Sequence, residues 1–369
     1  MPTPSPDACY VPYDDSLEVK HPDEEKTSAE LTAVMRRISE TINDRSRNAF
    51  RSVHAKSHAL LKAQMKVLND IPAYLRQGIF QPGQDYPVIM RFSTNPGDIL
   101  ADSISSPRGL GVKVIGVGGE MVPNHTGQMT QDFVLVNAKA FGAPDAAGFL
   151  KIAQLLEQHV ADSVGLKQFV STSTRVLENA LEAFGGESDA LRAFGHPETN
   201  ILGESFYSQA PIRYGRYIAK VGIEPGSENL KQLTGKHVEH LGKRYSGLRD
   251  EAEKFFETQT AEWNLCVQLC TDLERMPIED ASVKWPEDLS PYVPVARIIA
   301  GPQNAYSPER RIYVDEKLSF SPWHCLAAHR PLGNIMRARF EAYKMSSRFR
   351  HSANGREMIE PKSIDELPN

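Results

Sequence analysis

Two arginines and a tyrosine share one face of a predicted helix near the end of the chain. The stretch Met336–His351 contains neither Gly nor Pro and is rich in helix formers, so it predicts one helix beginning after Gly333. At about 100° per residue, Arg339, Tyr343 and Arg350 fall within roughly 40° of one another. One interpretation is a solvated basic face with a tyrosine packed beside it. The other is an anionic ligand, because a metal and an adjacent arginine both favour a phenolate, and tyrosine is one of the few side chains that bind a haem iron.

A histidine that could move protons lies far upstream. His54 follows Val53 in the segment Arg51–Lys56, and a histidine beside a β-branched residue is more often a hydrogen-bonded core residue than a catalytic one. A second segment, Met90–Thr94, contains Arg91 and Ser93. The sequence therefore offers acid/base chemistry at His54, with the structural interpretation still open.

The composition restricts the possible functions. The chain has 369 residues, of which 40% are hydrophobic, enough for one large core or two smaller ones. Its net charge of -5 and the lack of a long basic run exclude a nucleic-acid partner. The cysteines show neither CxxC nor zinc spacing, which indicates reduced thiols in the cytoplasm. No secretion signal or stretch of 18 apolar residues occurs, so we expect a soluble protein without a membrane partner.

The elements that must position these residues can be placed coarsely. Residues 1–27 are acidic and rich in proline and predict an extended or mobile arm. Apolar residues at helical spacing predict helices over about 28–48 and 145–191. The runs 212–221 and 263–270 predict strands, both plausible in a barrel.

Taken in order, these segments resemble the haem catalases. Arg51–Lys56 is similar to the distal strand of that family, Met90–Thr94 to its Arg-Phe-Ser-Thr element, and the helix around Tyr343 to its proximal helix. The resemblance extends over about residues 50 to 351 and also includes Asp102, 106–114, 127–137, 284–299, 301–306 and 318–322.

The resemblance implies an α+β fold in which helices surround an antiparallel β-barrel of the catalase type. A haem would be buried between the barrel and the proximal helix. The domain division would be an N-terminal arm, 1–27, and a catalase-like haem domain, 28–369. Because the chain ends soon after the proximal helix, we expect a small catalase-related protein without the additional C-terminal domain of large catalases.

The resemblance also assigns the cofactor-binding residues. Tyr343 would be the metal ligand of haem b (iron protoporphyrin IX), with Arg339 stabilising its negative charge. Propionate and ring contacts would come from Arg51, Val53, Arg91, Phe133, Phe141 and Arg350.

The catalytic residues implied by the resemblance are His54, Ser93 and Gln128. His54 would take a proton from the bound hydroperoxide and return it to the leaving oxygen, and Ser93 would orient His54. Gln128 stands where catalases carry the distal asparagine, so it would contact the peroxide. Since its side chain is one methylene longer, we expect an altered peroxide position.

Three functions follow as hypotheses. The first is haem-dependent breakdown of hydrogen peroxide or organic hydroperoxides, as a peroxidase or a weak catalase. The second is a haem enzyme that rearranges fatty-acid hydroperoxides, and the third is a haem-binding or sensor protein without turnover. For the first, the partners would be a small peroxide and a reducing co-substrate, and the expected assembly is a homo-oligomer.

Overall fold

Nine antiparallel strands form one sheet in the computed structural model, which describes residues 10–104, 106–161 and 198–369. They are β1 Lys56–Val67, β2 Asp85–Thr94, β3 Arg108–Ile115, β4 Thr130–Val136, β5 Phe206–Tyr207, β6 Ile212–Tyr214, β7 Tyr217–Pro225, β8 Ala261–Leu269 and β9 Val293–Ala300. The sheet order is β5-β4-β3-β2-β1-β9-β8-β7-β6, and β5 also pairs with β7. This last pairing closes an eight-stranded barrel, with β6 added beside β7. Closure leaves the eight strands without a free edge.

Large apolar side chains fill the interior of the barrel. The ring of Phe92 lies 5.7 Å from that of Phe206 and 5.6 Å from that of Trp263, and all three are buried. In a closed barrel, every second side chain of a strand points inward, and apolar side chains at these positions form the core. The chemistry therefore has to lie outside this core, between the barrel and the helices.

A layer of helices packs on the outside of the barrel. The α-helices are α1 Glu24–Ser46, α2 Ala146–Ala161, α3 Glu228–Lys231, α4 Gly247–Phe256, α5 Pro308–Arg311 and α6 Asn334–Ala353. Short 3₁₀ turns are Asp15–Leu17, Ala73–Leu75, Pro123–His125, Ile201–Gly203, Leu241–Lys243, Ala327–His329 and Ile364–Glu366, and a π-helical turn, Ile312–Lys317, continues α5. Helix α1 packs against both α2 and α6 through an apolar cluster that includes Val34, Ala153 and Ala338.

The predicted barrel with surrounding helices is confirmed, whereas some element boundaries differ. Helix α1 begins at Glu24 rather than at residue 28. The predicted strand over 212–221 is instead the hairpin of β6 and β7, because Gly215 turns the chain with a φ of 60°. The strand predicted over 263–270 is β8. Of the helix predicted over 145–191, the described part is α2, and the remainder lies outside the described residues.

Residues 10–23 run along the outside of the barrel before α1. The amide of Val11 donates to the carbonyl of Cys270 at 2.9 Å, and that of Tyr13 to Arg216 at 2.7 Å. The predicted extended arm is therefore packed in this part, and residues 1–9, with Cys9, lie outside the described chain. Within the described residues, no helix is both long and apolar enough to cross a membrane.

Candidate functional site

A cavity of about 350 Å³ lies between the barrel and the helices α1, α2 and α6. Nine of the eleven side chains predicted for the site line it, and they come from four separate parts of the chain. They are Arg51, Val53, His54, Arg91, Ser93, Phe141, Arg339, Tyr343 and Arg350. The rest of the wall is mainly apolar, as in most pockets for small molecules and cofactors.

Helix α6 supplies the tyrosine wall of this cavity. It begins after Gly333, as predicted, and Gly333 has a φ of 88° that suits glycine. The Nη2 of Arg339 donates a hydrogen bond of 2.7 Å to the Oη of Tyr343, one turn further along the helix. The arrangement can therefore present the phenolic oxygen to a metal, with the guanidinium beside it to stabilise the charge of a metal-bound oxygen.

His54 lies just before β1 in a constrained backbone conformation. Its φ is 53°, in the left-handed region, and its amide donates to the Oδ1 of Asn95 at 3.1 Å. Its carbonyl accepts a hydrogen bond of 2.9 Å from the Nη2 of Arg91. The imidazole packs over Gly109, where an added Cβ would lie 2.5 Å from Nδ1. Backbone contacts and the missing side chain of Gly109 thus set the position of the ring.

The imidazole of His54 is neutral at pH 7. Burial lowers its pKa to about 3, and the charges of Arg91 and Arg339 act in the same direction. Within the described residues, Nδ1 of His54 has no hydrogen-bond partner. A neutral imidazole that lines a cavity can accept a proton from a bound molecule.

Ser93 lines the cavity but does not orient His54 through a hydrogen bond. Its Oγ donates instead to the carbonyl of Gly109 at 3.3 Å. The reason is the strand register, because Ser93 on β2 stands directly opposite Gly109 on β3. The predicted contact between Ser93 and His54 is therefore wrong in this structure, although the serine does border the same cavity.

Gln128 and Phe133 are the two predicted residues that do not line the cavity. Gln128 lies in the loop before β4, where its Oε1 is 2.8 Å from the Nδ1 of His125. Phe133 points into the barrel and packs near Phe80, at 6.3 Å between ring centroids. Side chains alternate along a strand, so Val134 and Val136 on β4 face the cavity instead. The predicted peroxide contact of Gln128 is corrected accordingly.

An amide not predicted from the sequence also borders the cavity. Gln209 has a φ of 62°, and its Nε2 donates to the carbonyl of Ala140 at 2.6 Å. This bond links the loop after β5 to the segment that carries Phe141, whose ring packs on that of Phe149 at 5.1 Å. No motif surrounds Gln209, so only the folded chain identifies it.

Three arginines form the charged end of the cavity, and one carboxylate, Asp315, lies behind them. The Nε of Arg91 donates to Asp315 at 2.6 Å, and Arg51 donates to backbone carbonyls of residues 314, 315 and 318. Arg350 is 4% exposed; its Nη2 donates to the carbonyl of Leu318 at 2.9 Å, and its Nε has no partner in the described chain. Three cations against one anion leave a net charge of about +2, which matches a ligand with two carboxylates.

Asp315 was not predicted from the sequence. It lies in the π-helical turn after α5, where nothing in the local sequence distinguishes it from other surface acids. Burial raises its pKa, but the charges of Arg91 and Arg51 and a hydrogen bond from Ser57 outweigh burial, so its pKa lies below the ordinary value. The carboxylate therefore remains ionised and holds the arginines together.

The sequence of the chain is similar to that of a known catalase. No family model matches the chain. Catalase isozyme 1 of Solanum tuberosum is 26% identical over 331 residues, which cover 84% of this chain and 62% of that protein. The chain thus spans less than two thirds of that relative.

Solved structures of catalases have the same fold. A fungal catalase superposes with a TM-score of 0.61 at 16% identity, covering 88% of this chain and 66% of that one. A bacterial catalase gives 0.60 at 17% identity, covering 87% and 62%. Catalase A from Saccharomyces cerevisiae gives 0.60 at 17% identity, covering 88% and 68%. The chain therefore shares the fold of these catalases.

Proposed function

We propose that this relative of the haem catalases is a haem-dependent enzyme that breaks down hydroperoxides, acting as a peroxidase rather than as an efficient catalase. The observation that carries the proposal is one mainly apolar cavity with the pair Arg339 and Tyr343 on one wall and a neutral His54 on another. The relationship alone would leave the activity open, because the chain spans only 62% of the catalase it matches in sequence.

The residues of the cavity fit a haem. A haem is a flat, apolar ring with two carboxylates, and the cavity is apolar with a net charge of about +2 at one end. Arg51, Arg91 and Arg350 would hold the carboxylates. The buried Nε of Arg350, which has no partner among the described residues, would donate to one of them. Tyr343 would be the iron ligand, and Val53 and Phe141 would contact the ring.

The chemistry of the chain's own residues follows from this arrangement. A bound haem would supply the iron that takes up the two oxidising equivalents released when the peroxide bond breaks. His54 would accept the proton of the hydroperoxide and pass it to the leaving oxygen, which departs as water or an alcohol. Arg339 would stabilise the negative charge of a Tyr343 oxygen that binds the iron, because it donates a hydrogen bond to that oxygen.

The apolar end of β4 favours peroxidase over catalase activity. A catalase has to bind a second hydrogen peroxide in a productive position, and a polar molecule of that size needs hydrogen-bond partners. Val134 and Val136 occupy this wall, and the nearby amide of Gln209 donates to Ala140. We infer that an external reductant completes the reaction. A cytoplasmic location and a homo-oligomeric assembly stay predictions from the sequence.

The proposal is tested on the purified protein after addition of haem. We expect a Soret band that Tyr343→Phe abolishes or shifts and that the exposed control Tyr245→Phe leaves unchanged. Hydroperoxide consumption with a phenolic donor should fall about 100-fold or more in His54→Gln, because general acid/base catalysis contributes that much. The surface variant His237→Gln serves as its control.

Three results would contradict the proposal. A protein that takes up no haem would refute the cofactor, and a Soret band unaffected by Tyr343→Phe would refute the ligand. Equal hydroperoxide consumption by His54→Gln and the unaltered protein would refute the catalytic role of His54. Oxygen release from hydrogen peroxide, measured beside donor oxidation, decides between catalase and peroxidase.

A further inference from the structure

A second cavity, of about 210 Å³, lies behind the charged end of the first and shares Arg51 and Arg350 with it. We call it the arginine pocket. Its cations are Arg51, Lys56, Arg249, Arg311 and Arg350, and its carboxylates are Asp315 and Glu316. Cations outnumber carboxylates by three, so the pocket carries an excess of positive charge.

Most of these charges already have partners. Lys56 pairs with Asp102 at 2.6 Å, and Arg311 with Glu316 at 2.8 Å. Arg51 and Arg350 would be occupied by the carboxylates of a bound haem. Arg249 is the exception, because it makes no ion pair within 4 Å in the part of the chain that the structure describes.

Arg249 is also fixed in position. Its guanidinium lies 3.7 Å from the centre of the Tyr306 ring, and its Nη2 donates to the carbonyl of Ser57 at 3.1 Å. Its Nε is buried and has no hydrogen-bond partner among the described residues. A buried donor without a partner is rare in native proteins and indicates a missing acceptor. The guanidinium is therefore held in a position from which Nε can donate a hydrogen bond to a bound anion.

The walls beside Arg249 are aromatic. Tyr306 lies under the guanidinium, and Tyr245 is 58% exposed at the pocket although its Oη donates to the carbonyl of Ile99 at 3.0 Å. The Nζ of Lys56 lies 4.3 Å from the centre of the Tyr245 ring, so each tyrosine ring has a cation beside it. Aromatic rings next to cations suit a planar ring that carries negative charge. A volume of about 210 Å³ is below that of pockets for drug-sized ligands and suits a single substituted ring.

We propose that the arginine pocket binds a planar aromatic anion, held by Arg249 beside the tyrosine rings, and that this anion is the reducing co-substrate. The second part rests on the proposed peroxidase function. Two phenolic molecules would each lose one electron and one proton, and the hydroperoxide would be reduced to an alcohol and water. The shared wall of Arg51 and Arg350 puts the donor next to the site where a haem would bind, without entering the hydroperoxide cavity.

The test uses 4-hydroxybenzoate as the anionic donor and neutral 4-hydroxybenzamide as its control, on the haem-loaded protein. Titration calorimetry should show tighter binding of the anion, and Arg249→Gln should weaken it about tenfold, as loss of a charged hydrogen bond predicts. The ratio of kcat/KM for the anion to that for the amide should fall by a similar factor. Arg244→Gln removes a charge just before the same helix, outside the pocket, and should change neither quantity.

The outcomes separate this proposal from the proposed function. If 4-hydroxybenzoate binds equally to the unaltered protein, Arg249→Gln and Arg244→Gln, the arginine pocket is refuted even where peroxidase activity is present. If binding depends on Arg249 but no donor is oxidised, the anion site stands and the peroxidase function is refuted. Should Arg249→Gln fold poorly, Arg249→Lys is the second variant, because it keeps the charge and should retain part of the binding of 4-hydroxybenzoate. If Arg249→Lys binds 4-hydroxybenzoate no more tightly than it binds 4-hydroxybenzamide, the proposal is overturned.

Discussion

The imidazole of His54 is positioned by Gly109, against which it packs. Gly109 contributes no side chain, and the ring occupies the space where a Cβ would be. The left-handed backbone of His54 and its two main-chain hydrogen bonds, from its own amide to Asn95 and from Arg91 to its carbonyl, complete the support. Among the described residues, Nδ1 of the ring has no hydrogen-bond partner that would fix its tautomer.

Substitution of Gly109 by alanine tests this support. In Gly109→Ala, the new Cβ would lie 2.5 Å from Nδ1 and 2.7 Å from Cε1 of His54, so the ring has to move. A displacement of this size should lower hydroperoxide consumption about 10- to 100-fold while the Soret band is retained. Gly118→Ala is the matched control, because no atom lies within 4 Å of its added Cβ. Equal rates in both variants would show that the ring position is not set by Gly109.

Site residues could be predicted where a short stretch carries its own pattern. Arg339 and Tyr343 are one turn apart on a helix, so their contact follows from spacing alone. Asp315 could not be predicted, because its role arises from two arginines more than 200 positions away in the sequence. Residues from distant segments acquire their chemistry only when the barrel closes.

Two predicted site residues of the segment 127–137 lie away from the cavity for different reasons. Gln128 lies in the loop before β4, where its side chain contacts His125, and Phe133 lies on β4 with its ring inside the barrel. In the structure, the part of this segment that borders the cavity is the end of β4, around Val134 to Val136. Since consecutive side chains on a strand face opposite sides, a motif match does not determine which residue points at the cavity.

Helix α1 forms one wall of the cavity, and ion pairs hold it against α6. Glu24 is buried and accepts hydrogen bonds from Arg337, at 2.5 and 2.8 Å, and from Asn334 at 2.8 Å. Arg337 also contacts Glu18 and Glu279, so one arginine joins the arm, α1 and the loop before β9 to α6. The start of α1 four residues before its predicted position brings Glu24 into this network.

Glu24→Gln should therefore destabilise the helical layer. The change removes the negative charge of Glu24, and Arg337 keeps its two other carboxylate partners. The free energy of unfolding should therefore fall by about 1 to 3 kcal/mol. The neighbouring Glu25 is exposed, and Glu25→Gln should change stability by less than about 0.5 kcal/mol. Urea unfolding of both variants measures the difference. A loss no greater in Glu24→Gln than in Glu25→Gln would mean that the ion pairs do not hold α1.

At the scale of the whole molecule, the barrel buries imidazoles as well as apolar side chains. The class of fold could be predicted from several segments in the right order. The closure of the barrel through the two-residue strand β5 could not, because so short a strand has no sequence pattern. Burial of histidines likewise depends on the complete fold, and it makes stability depend on pH.

His329 shows this dependence most simply. It is 1% exposed, its Nε2 accepts a hydrogen bond from the amide of Ile79 at 3.2 Å, and burial lowers its pKa to about 3. In the unfolded chain a histidine has a pKa of about 6.5, so between pH 6.5 and 3 the unfolded state binds a proton that the folded state does not. Its contribution to stability is therefore complete above pH 6.5 and falls by about 1.4 kcal/mol per pH unit below it.

His329→Gln should remove this part of the pH dependence. Glutamine can still accept the hydrogen bond from Ile79, so the variant should fold, with some loss of stability at pH 7 from the lost ring contacts with Phe80 and Tyr214. Between pH 6 and 4, its unfolding free energy should vary with pH by about 1.4 kcal/mol per unit less than that of the unaltered protein. The control His237→Gln changes an exposed ring and should leave the slope as it is. Urea titrations at pH 6, 5 and 4 measure both slopes, and parallel lines for His329→Gln and the unaltered protein would show that His329 is protonated in the folded state.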